Sequence, residues 1–123
     1  MKSLVYIFIG GGIGSVLRYL IGRLSVHVFS SSLPIGTFIA NILSCILLAG
    51  ILVLLKSKGI AQDSAIRLLL VVGLCGGLST FSTFSLETFE LIKTGSLYSA
   101  ALNVIISVAL SLVLLYLFLY KSN

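Results

Sequence analysis

The sequence predicts an all-α membrane protein with four transmembrane helices. Of its 123 residues, 59% are hydrophobic and only 9% are charged, and the mean hydropathy is +1.24. So few charges cannot cover the surface of a soluble domain of this size. A helix needs about 20 mostly apolar residues to cross the hydrocarbon core. Four stretches qualify, with approximate bounds 4–24, 33–55, 65–91 and 97–120, and we expect a single transmembrane domain over residues 1–123.

Each stretch is a continuous apolar run, which favours helices over the alternating segments of a β-barrel. The first stretch begins like a signal peptide, with Lys2 before an apolar run. However, Arg18 and the glycines of Gly10–Gly14 interrupt it, and three further spans follow, so a retained first helix is favoured. The segments between the helices are too short for a soluble domain. The function is therefore expected within a cell membrane, inner or plasma, that the chain crosses several times.

The net charge of +5 comes from eight Lys and Arg residues against three acids. They form no basic run, so a nucleic-acid partner is excluded. In the predicted topology, five of the cations lie on one membrane face: Lys2, Lys56, Lys58, Arg67 and Lys121. The other three lie towards the opposite face: Arg18, Arg23 and Lys93. This weak bias permits cytoplasmic termini and is equally compatible with insertion in both orientations.

The third apolar stretch contains an unusual segment, "GLCGGLSTFSTFS", from Gly73 to Ser85. Its three glycines and five hydroxyl residues have low helix propensity, which predicts a break near the middle of the third helix. Irregular backbone at membrane depth persists only where protein buries it or where it lines a cavity. Carbonyl groups freed by such a break can bind a cation.

Polar residues recur on one face of the second and of the fourth helix. The two stripes are Thr37, Asn41 and Ser44, and Ser99, Asn103, Ser107 and Ser111. Such residues either join helices or line a polar path, and the spacing leaves both interpretations open. Hydroxyl and carboxamide donors suit an anion, as do the positive ring edges of Phe81 and Phe84. The acidic residues are Asp63, in a loop, and two glutamates late in the third helix. Because cation transporters use acids within the membrane, this composition favours a small anion as the solute over a cation.

The glycine and cysteine patterns have simpler interpretations. Gly10 with Gly14 and Gly73 with Gly77 form G-x-x-x-G pairs, which allow helices to approach closely. The two cysteines, one in the second helix and one in the third, lack the spacing of a metal site or a disulfide framework. We interpret them as small packing residues.

Three motifs in order resemble those of the Fluc/CrcB family of fluoride channels. They are "GGGIGSVLRY" (Gly10–Tyr19), "GTFIANILSC" (Gly36–Cys45) and "GLCGGLSTFSTFS" (Gly73–Ser85). The resemblance implies an antiparallel dual-topology homodimer, with fluoride pathways along the subunit interface and no enzymatic activity. It also implies a structural Na⁺ ion at the dimer centre, held by the backbone carbonyls of Gly76 and Ser79.

The same resemblance assigns roles to side chains of this chain. It implies an anion pathway formed by Asn41, Phe81, Ser82, Thr83, Phe84, Ser107 and Ser111. Arg18 matches the family's first-helix arginine and is expected in an aqueous vestibule. Two positions depart from the common pattern: Ser79 replaces a threonine, and Asn103 replaces a tyrosine at the head of the polar track on the fourth helix.

The resemblance implies passive, selective conduction of fluoride, which exports the fluoride that accumulates when HF enters the cell and dissociates. Its partners are then the fluoride ion, the lipid bilayer and a second copy of the chain. Two alternatives remain: a small dual-topology multidrug or cation transporter, and a non-transporting membrane scaffold. The transporter would need an intramembrane acid to bind its cations, and the first helix has none.

Overall fold

The computed structural model describes residues 1–122, which form four membrane-spanning segments. They are α1 (Lys2–Val28), α2 (Ile35–Ser57), a third segment (Ala65–Lys93) and α5 (Leu97–Tyr120). Each is long and apolar enough to cross a bilayer. The prediction of an all-α protein with four transmembrane helices is confirmed. Helix α1 is longer than the predicted 4–24: its 27 residues make about 40 Å of helix, more than the roughly 30 Å of the hydrocarbon core.

The third segment is interrupted near its middle, as predicted. Its first half, α3 (residues 65–78), is π-helical over Leu68–Cys75, and its second half, α4, covers Phe81–Lys93. Between them, Ser79 and Thr80 are extended. The other connections are ordinary: α2 and α4 both end in turns at glycines with positive φ, Gly59 and Gly95.

The two G-x-x-x-G pairs pack against each other, which brings the backbones of α1 and α3 into contact. A Cβ atom on Gly14 would collide with the carbonyl oxygen of Leu74, and one on Gly77 would collide with the carbonyl oxygen of Gly11. A Cβ on Gly73 would stand 2.8 Å from the Cα of Gly10. The predicted close approach is confirmed, and it fixes α3 against α1 just before the break.

Few side chains are fully buried in the single chain, and most large apolar residues of the four helices face outwards. Leu78, at the last turn of α3, is the largest side chain among the fully buried residues described. The outward apolar surface must be covered by lipid or by protein. The antiparallel homodimer stays a prediction, since one chain describes only one side of any such interface.

Candidate functional site: a polar cleft at the helix break

The break between α3 and α4 is held open by the carboxamide of Asn41, on α2. The Thr80 N–H donates to Asn41 Oδ1 over 2.8 Å, and Asn41 Nδ2 donates to the Thr80 carbonyl over 3.2 Å. The Thr80 hydroxyl in turn caps α4 by accepting from the N–H of Thr83 at 3.2 Å. Asn41 therefore supplies to Thr80 the two hydrogen bonds that a continuous helix would have supplied.

The last carbonyls of α3 are also satisfied from outside the helix. The Cys75 carbonyl accepts from the hydroxyls of Ser44 and Ser79, at 2.8 and 3.0 Å, and from the Ser79 N–H at 3.0 Å. The Gly77 carbonyl accepts from Nε of Arg18 at 3.2 Å. Neighbouring helices α1 and α2 thus stabilise one side of the break.

Two carbonyls at the break stay without such partners. Within residues 1–122, no hydrogen bond reaches the carbonyl oxygens of Gly76 or Ser79, because the N–H groups of Thr80 and Thr83 bond elsewhere. Gly76 is exposed, and a Cβ built on it would meet no atom within 4 Å. Carbonyl oxygens without hydrogen-bond partners are ligands of the kind that a hard cation such as Na⁺ prefers.

A cleft of about 320 Å³ opens beside the break, between α2, α4 and α5. Five residues of the predicted anion pathway line it, namely Asn41, Phe81, Phe84, Ser107 and Ser111. The two phenylalanine rings lie with centroids 6.0 Å apart and planes tilted by 40°. Phe81 is 79% exposed, so its ring extends beyond the single chain towards whatever covers this face.

Ser107 is the most unusual residue of the cleft. Its side chain is only 8% exposed, yet its hydroxyl has no hydrogen-bond partner among the described residues. A buried hydroxyl without a partner costs free energy, so its persistence calls for an explanation such as a bound ligand. Ser107 lines the cleft, although its hydroxyl oxygen is covered in the single chain.

The other predicted pathway residues lie outside the cleft. Thr83 and Arg18 line a separate cavity of about 470 Å³, and Thr80 contributes to both spaces. We call this space the arginine cavity; the vestibule role that the resemblance implies for Arg18 stays a prediction. Ser82 is exposed, and its hydroxyl lies 3.4 Å from that of Thr80.

The arginine cavity also contains an acid that sequence reasoning had not placed at the site. Glu87 accepts a hydrogen bond from the Thr37 hydroxyl at 2.8 Å on one carboxylate oxygen. Its other oxygen is buried and has no partner among the described residues. Thr37 was predicted as part of the polar stripe of α2, but nothing in the sequence indicated that its hydrogen-bond partner would be Glu87.

The two polar stripes turn out to differ. All three members of the α2 stripe, Thr37, Asn41 and Ser44, bond to the third segment, so this stripe joins helices. On α5, Asn103 donates to the Thr88 hydroxyl at 2.9 Å, and that hydroxyl donates to the Phe84 carbonyl at 2.8 Å. Asn103 thus braces the helix that carries Phe84 and lines a neighbouring groove rather than the cleft.

The fold and the site define a multi-pass membrane protein with a hydroxyl-lined, phenylalanine-walled cleft beside a broken helix. A comparison with models of known protein families identifies the family to which the chain belongs. The model described as "CrcB-like protein, Camphor Resistance (CrcB)" matches residues 5–119. The chain belongs to the CrcB family, whose members are ion channels and not enzymes.

Curated relatives resemble the chain over most of its length. A protein of Phocaeicola vulgatus named "Fluoride-specific ion channel FluC" is 48% identical over 112 residues, which cover 91% of each chain. A protein of the same name from Shewanella sp. strain ANA-3 is 42% identical over 117 residues, covering 95% of this chain and 93% of the relative. Another from Azobacteroides pseudotrichonymphae is 40% identical over 108 residues, covering 88% and 86%.

Proposed function

We propose that this protein is a fluoride-selective channel, in which the anion passes along the cleft formed by Asn41, Phe81, Phe84, Ser107 and Ser111. One observation carries the proposal: Ser107, whose buried hydroxyl has no hydrogen-bond partner among the described residues, lines the same cleft as two phenylalanine rings. The names of the curated relatives support fluoride as the anion.

The chemistry of the cleft suits a small, strongly hydrated anion. Fluoride gives up water only where other donors replace it, and the hydroxyls of Ser107 and Ser111 are donors without positive charge. The ring edges of Phe81 and Phe84 carry partial positive charge and add weak contacts. Several moderate contacts allow an ion to enter and also to leave, which conduction requires.

The arginine cavity would serve as the entrance. Among the described residues, the bond to the Gly77 carbonyl engages only Nε of Arg18, so both terminal nitrogens of the guanidinium remain for the cavity. A fixed positive charge there raises the local concentration of anions. Glu87, on the cavity wall, limits that attraction and so prevents the entrance from trapping the ion.

We propose further that two copies pair antiparallel and share a Na⁺ ion. The carbonyls of Gly76 and Ser79 from each copy would hold it, and its charge would make the nearby potential favourable to anions. Replacing Ser79 with alanine keeps the carbonyl, so Na⁺ binding should survive in Ser79→Ala. The test is ion replacement followed by anomalous scattering. Loss of the ion in this variant would mean that the hydroxyl, and not the backbone, holds it.

Transport through such a channel is passive, and the gradient sets its direction. When the medium is more acidic than the cell, HF crosses the membrane, dissociates inside and leaves fluoride at the higher concentration. The channel then exports fluoride and lowers its toxicity. This role requires no coupling ion and no energy source.

The decisive experiment uses the purified protein in liposomes loaded with fluoride, with a fluoride electrode outside. Fluoride efflux is expected, and chloride efflux measured in the same vesicles should be far slower. A scaffold would give no efflux in vesicles shown to be sealed and to contain folded protein. A multidrug or cation transporter would instead move an organic cation in response to a proton gradient. Equal efflux of fluoride and chloride would support a channel but contradict its selectivity for fluoride.

A further inference from the structure

We propose that the arginine cavity binds the phosphate of an anionic phospholipid, with Arg18 and Arg23 as its partners and the acyl chains along the outer face of α1. The binding is independent of the proposed channel function. Its consequence for conduction, competition between the lipid phosphate and the permeating anion at the entrance, rests on that function.

The inference starts from two cations without counter-ions. Arg18 and Arg23 both line the cavity, and within residues 1–122 neither guanidinium forms an ion pair. Each is held by one hydrogen bond to a neutral group, at 3.2 Å in both cases. Arg18 Nε donates to the Gly77 carbonyl, and Arg23 Nη1 donates to the Tyr19 hydroxyl. The other N–H groups of the two side chains remain for an anion in the same cavity.

The charge of the cavity favours a phosphate. Among its described lining residues, Glu87 is the one acid, and its carboxylate accepts from the Thr37 hydroxyl instead of pairing with an arginine. Even when Glu87 is ionised, two positive charges face one negative charge, and the excess attracts an anion. Arginine suits phosphate in particular, because its planar fork can form two parallel hydrogen bonds to the oxygens.

Arg23 lies at the depth of lipid phosphates. About 31 Å of α1 separates it from Lys2, at the start of the helix, and the hydrocarbon core is about 30 Å thick. When Lys2 stands at one boundary of the core, Arg23 therefore stands at the other. Arg18 begins about 8 Å deeper, and its long side chain can extend towards the same boundary.

The surroundings of Arg23 favour a lipid over a soluble phosphate. Tyr19 and Val26 share its face of α1 and are 61% and 75% exposed. Phe29, which follows the helix, is 45% exposed, and all three side chains line the cavity. A phospholipid can cover these side chains with its acyl chains while its phosphate meets Arg23, whereas a soluble phosphate leaves them uncovered. An anionic lipid is expected because a choline headgroup would bring a second cation to the arginines.

The test measures lipid retention by native mass spectrometry of the full-length protein released from detergent micelles. Dioleoyl phosphatidylglycerol and dioleoyl phosphatidylcholine, which share their acyl chains, are added in equal amounts. We expect phosphatidylglycerol to be retained in preference. Arg23→Gln should weaken its retention about fivefold, the factor expected for one cation near an anionic membrane surface. Equal retention of the two lipids by the unmodified protein would overturn the site.

Lys93→Gln is the matched control. Lys93 is exposed at the end of α4, on the same side of the membrane as Arg23, and it is not among the residues that line the cavity. This variant removes the same charge and should retain phosphatidylglycerol like the unmodified protein. An equal loss of retention in both variants would mean a general attraction to positive charge and would contradict the site.

Inorganic phosphate, added in competition, separates the two sources of a phosphate group. It should leave the bound phosphatidylglycerol in place, because it cannot cover the apolar face of α1. Displacement of the lipid by an equal concentration of inorganic phosphate would assign the cavity to a soluble anion and would overturn the lipid proposal.

The consequence for conduction is tested by fluoride efflux from phosphatidylcholine vesicles with and without phosphatidylglycerol. The anionic lipid should slow efflux through the unmodified protein and Lys93→Gln more than through Arg23→Gln. Equal slowing in all three proteins would refute the competition, since a charged membrane acts on each of them alike. Absence of efflux in every protein would defeat the channel proposal, while lipid retention still decided the site.

Discussion

The hydrogen bonds between Asn41 and Thr80 allow a quantitative prediction. Asn41→Ala leaves the N–H and the carbonyl of Thr80 without partners at membrane depth. An unsatisfied buried group costs about 1–3 kcal/mol, whereas hydrogen bonds between membrane helices average only about 0.6 kcal/mol. Because Thr80 lies on the cleft, entering water can repair part of the loss. For the two Thr80 bonds together, the average membrane bond gives about 1.2 kcal/mol and two unsatisfied groups give at least about 2 kcal/mol, so we expect Asn41→Ala to lower the free energy of unfolding by about 2 kcal/mol.

Asn103→Ala is the matched control, since it removes the same side chain from the same kind of environment. Among the described residues, the carboxamide of Asn103 makes one bond, to the Thr88 hydroxyl, and that hydroxyl keeps its own bond to the Phe84 carbonyl. No backbone group loses its partner, so Asn103→Ala should lower the free energy of unfolding by about 0.6 kcal/mol. The difference between the free energies of unfolding of the two variants measures how much the hydrogen bonds at the helix break contribute to stability.

Asn41→Asp separates the two bonds of the carboxamide. The carboxylate can still accept from the Thr80 N–H, but it faces the Thr80 carbonyl with a second oxygen. An ionised acid at the centre of a spanning helix costs about 2.5–3.5 kcal/mol. This variant should therefore be less stable than Asn41→Ala, although it retains one more hydrogen bond.

The assay is equilibrium unfolding in mixed micelles at fixed protein concentration, paired with fluoride efflux from liposomes. Asn41→Ala should unfold more readily than Asn103→Ala and lose most of its efflux, because the break and the cleft share Thr80. Equal stability and equal efflux in the two variants would refute the reasoning, since the Thr80 bonds would then contribute nothing specific.

Three further predictions follow from the cleft and the glycine contacts. Ser107→Ala should leave stability nearly unchanged, because its hydroxyl bonds to nothing in the described chain, but should lower fluoride efflux by removing a donor. Gly77→Ala should prevent α3 from packing on α1, whereas Gly12→Ala should be tolerated because its Cβ would meet no atom within 4 Å. Phe81→Ile and Phe84→Ile should each reduce efflux, since the positive ring edge is lost while bulk is kept.

These three predictions have distinct readouts. The serine variant is checked by unfolding and efflux together, and a loss of stability with normal efflux would contradict it. For the glycines the measurement is the yield of folded, monodisperse protein, where similar yields of both variants would contradict the packing argument. Normal efflux in both phenylalanine variants would count against aromatic contacts with the anion.

Much of the fold was predictable because the membrane constrains it so strongly. Four apolar runs had to be helices, since lipid offers no partner for free backbone groups. The glycines and hydroxyls of Gly73–Ser85 indicated the break, because their low helix propensity is a local property. The G-x-x-x-G pairs predicted that helices would approach closely, but not that these two pairs would pack against each other.

The site was predictable only in part. Residue types and the family motifs identified Phe81, Phe84 and Ser107, and the structure places these three around one cleft. They did not reveal that the Asn41 carboxamide is engaged by Thr80, or that Glu87 meets Thr37. A polar residue has the same sequence signal whether its hydrogen bonds are used by the protein or left free for a solute.

The sequence by itself therefore determined a four-helix membrane protein with a broken third helix, because hydropathy and helix propensity act over a few neighbouring residues. Only the tertiary structure decided which polar groups are available. Within residues 1–122, the side chains of the α2 stripe are hydrogen-bonded to the third segment, whereas the Ser107 hydroxyl on α5 and the carbonyls of Gly76 and Ser79 have no hydrogen-bond partner. That outcome depends on which side chains meet across helices, and spacing along one helix does not specify its neighbour.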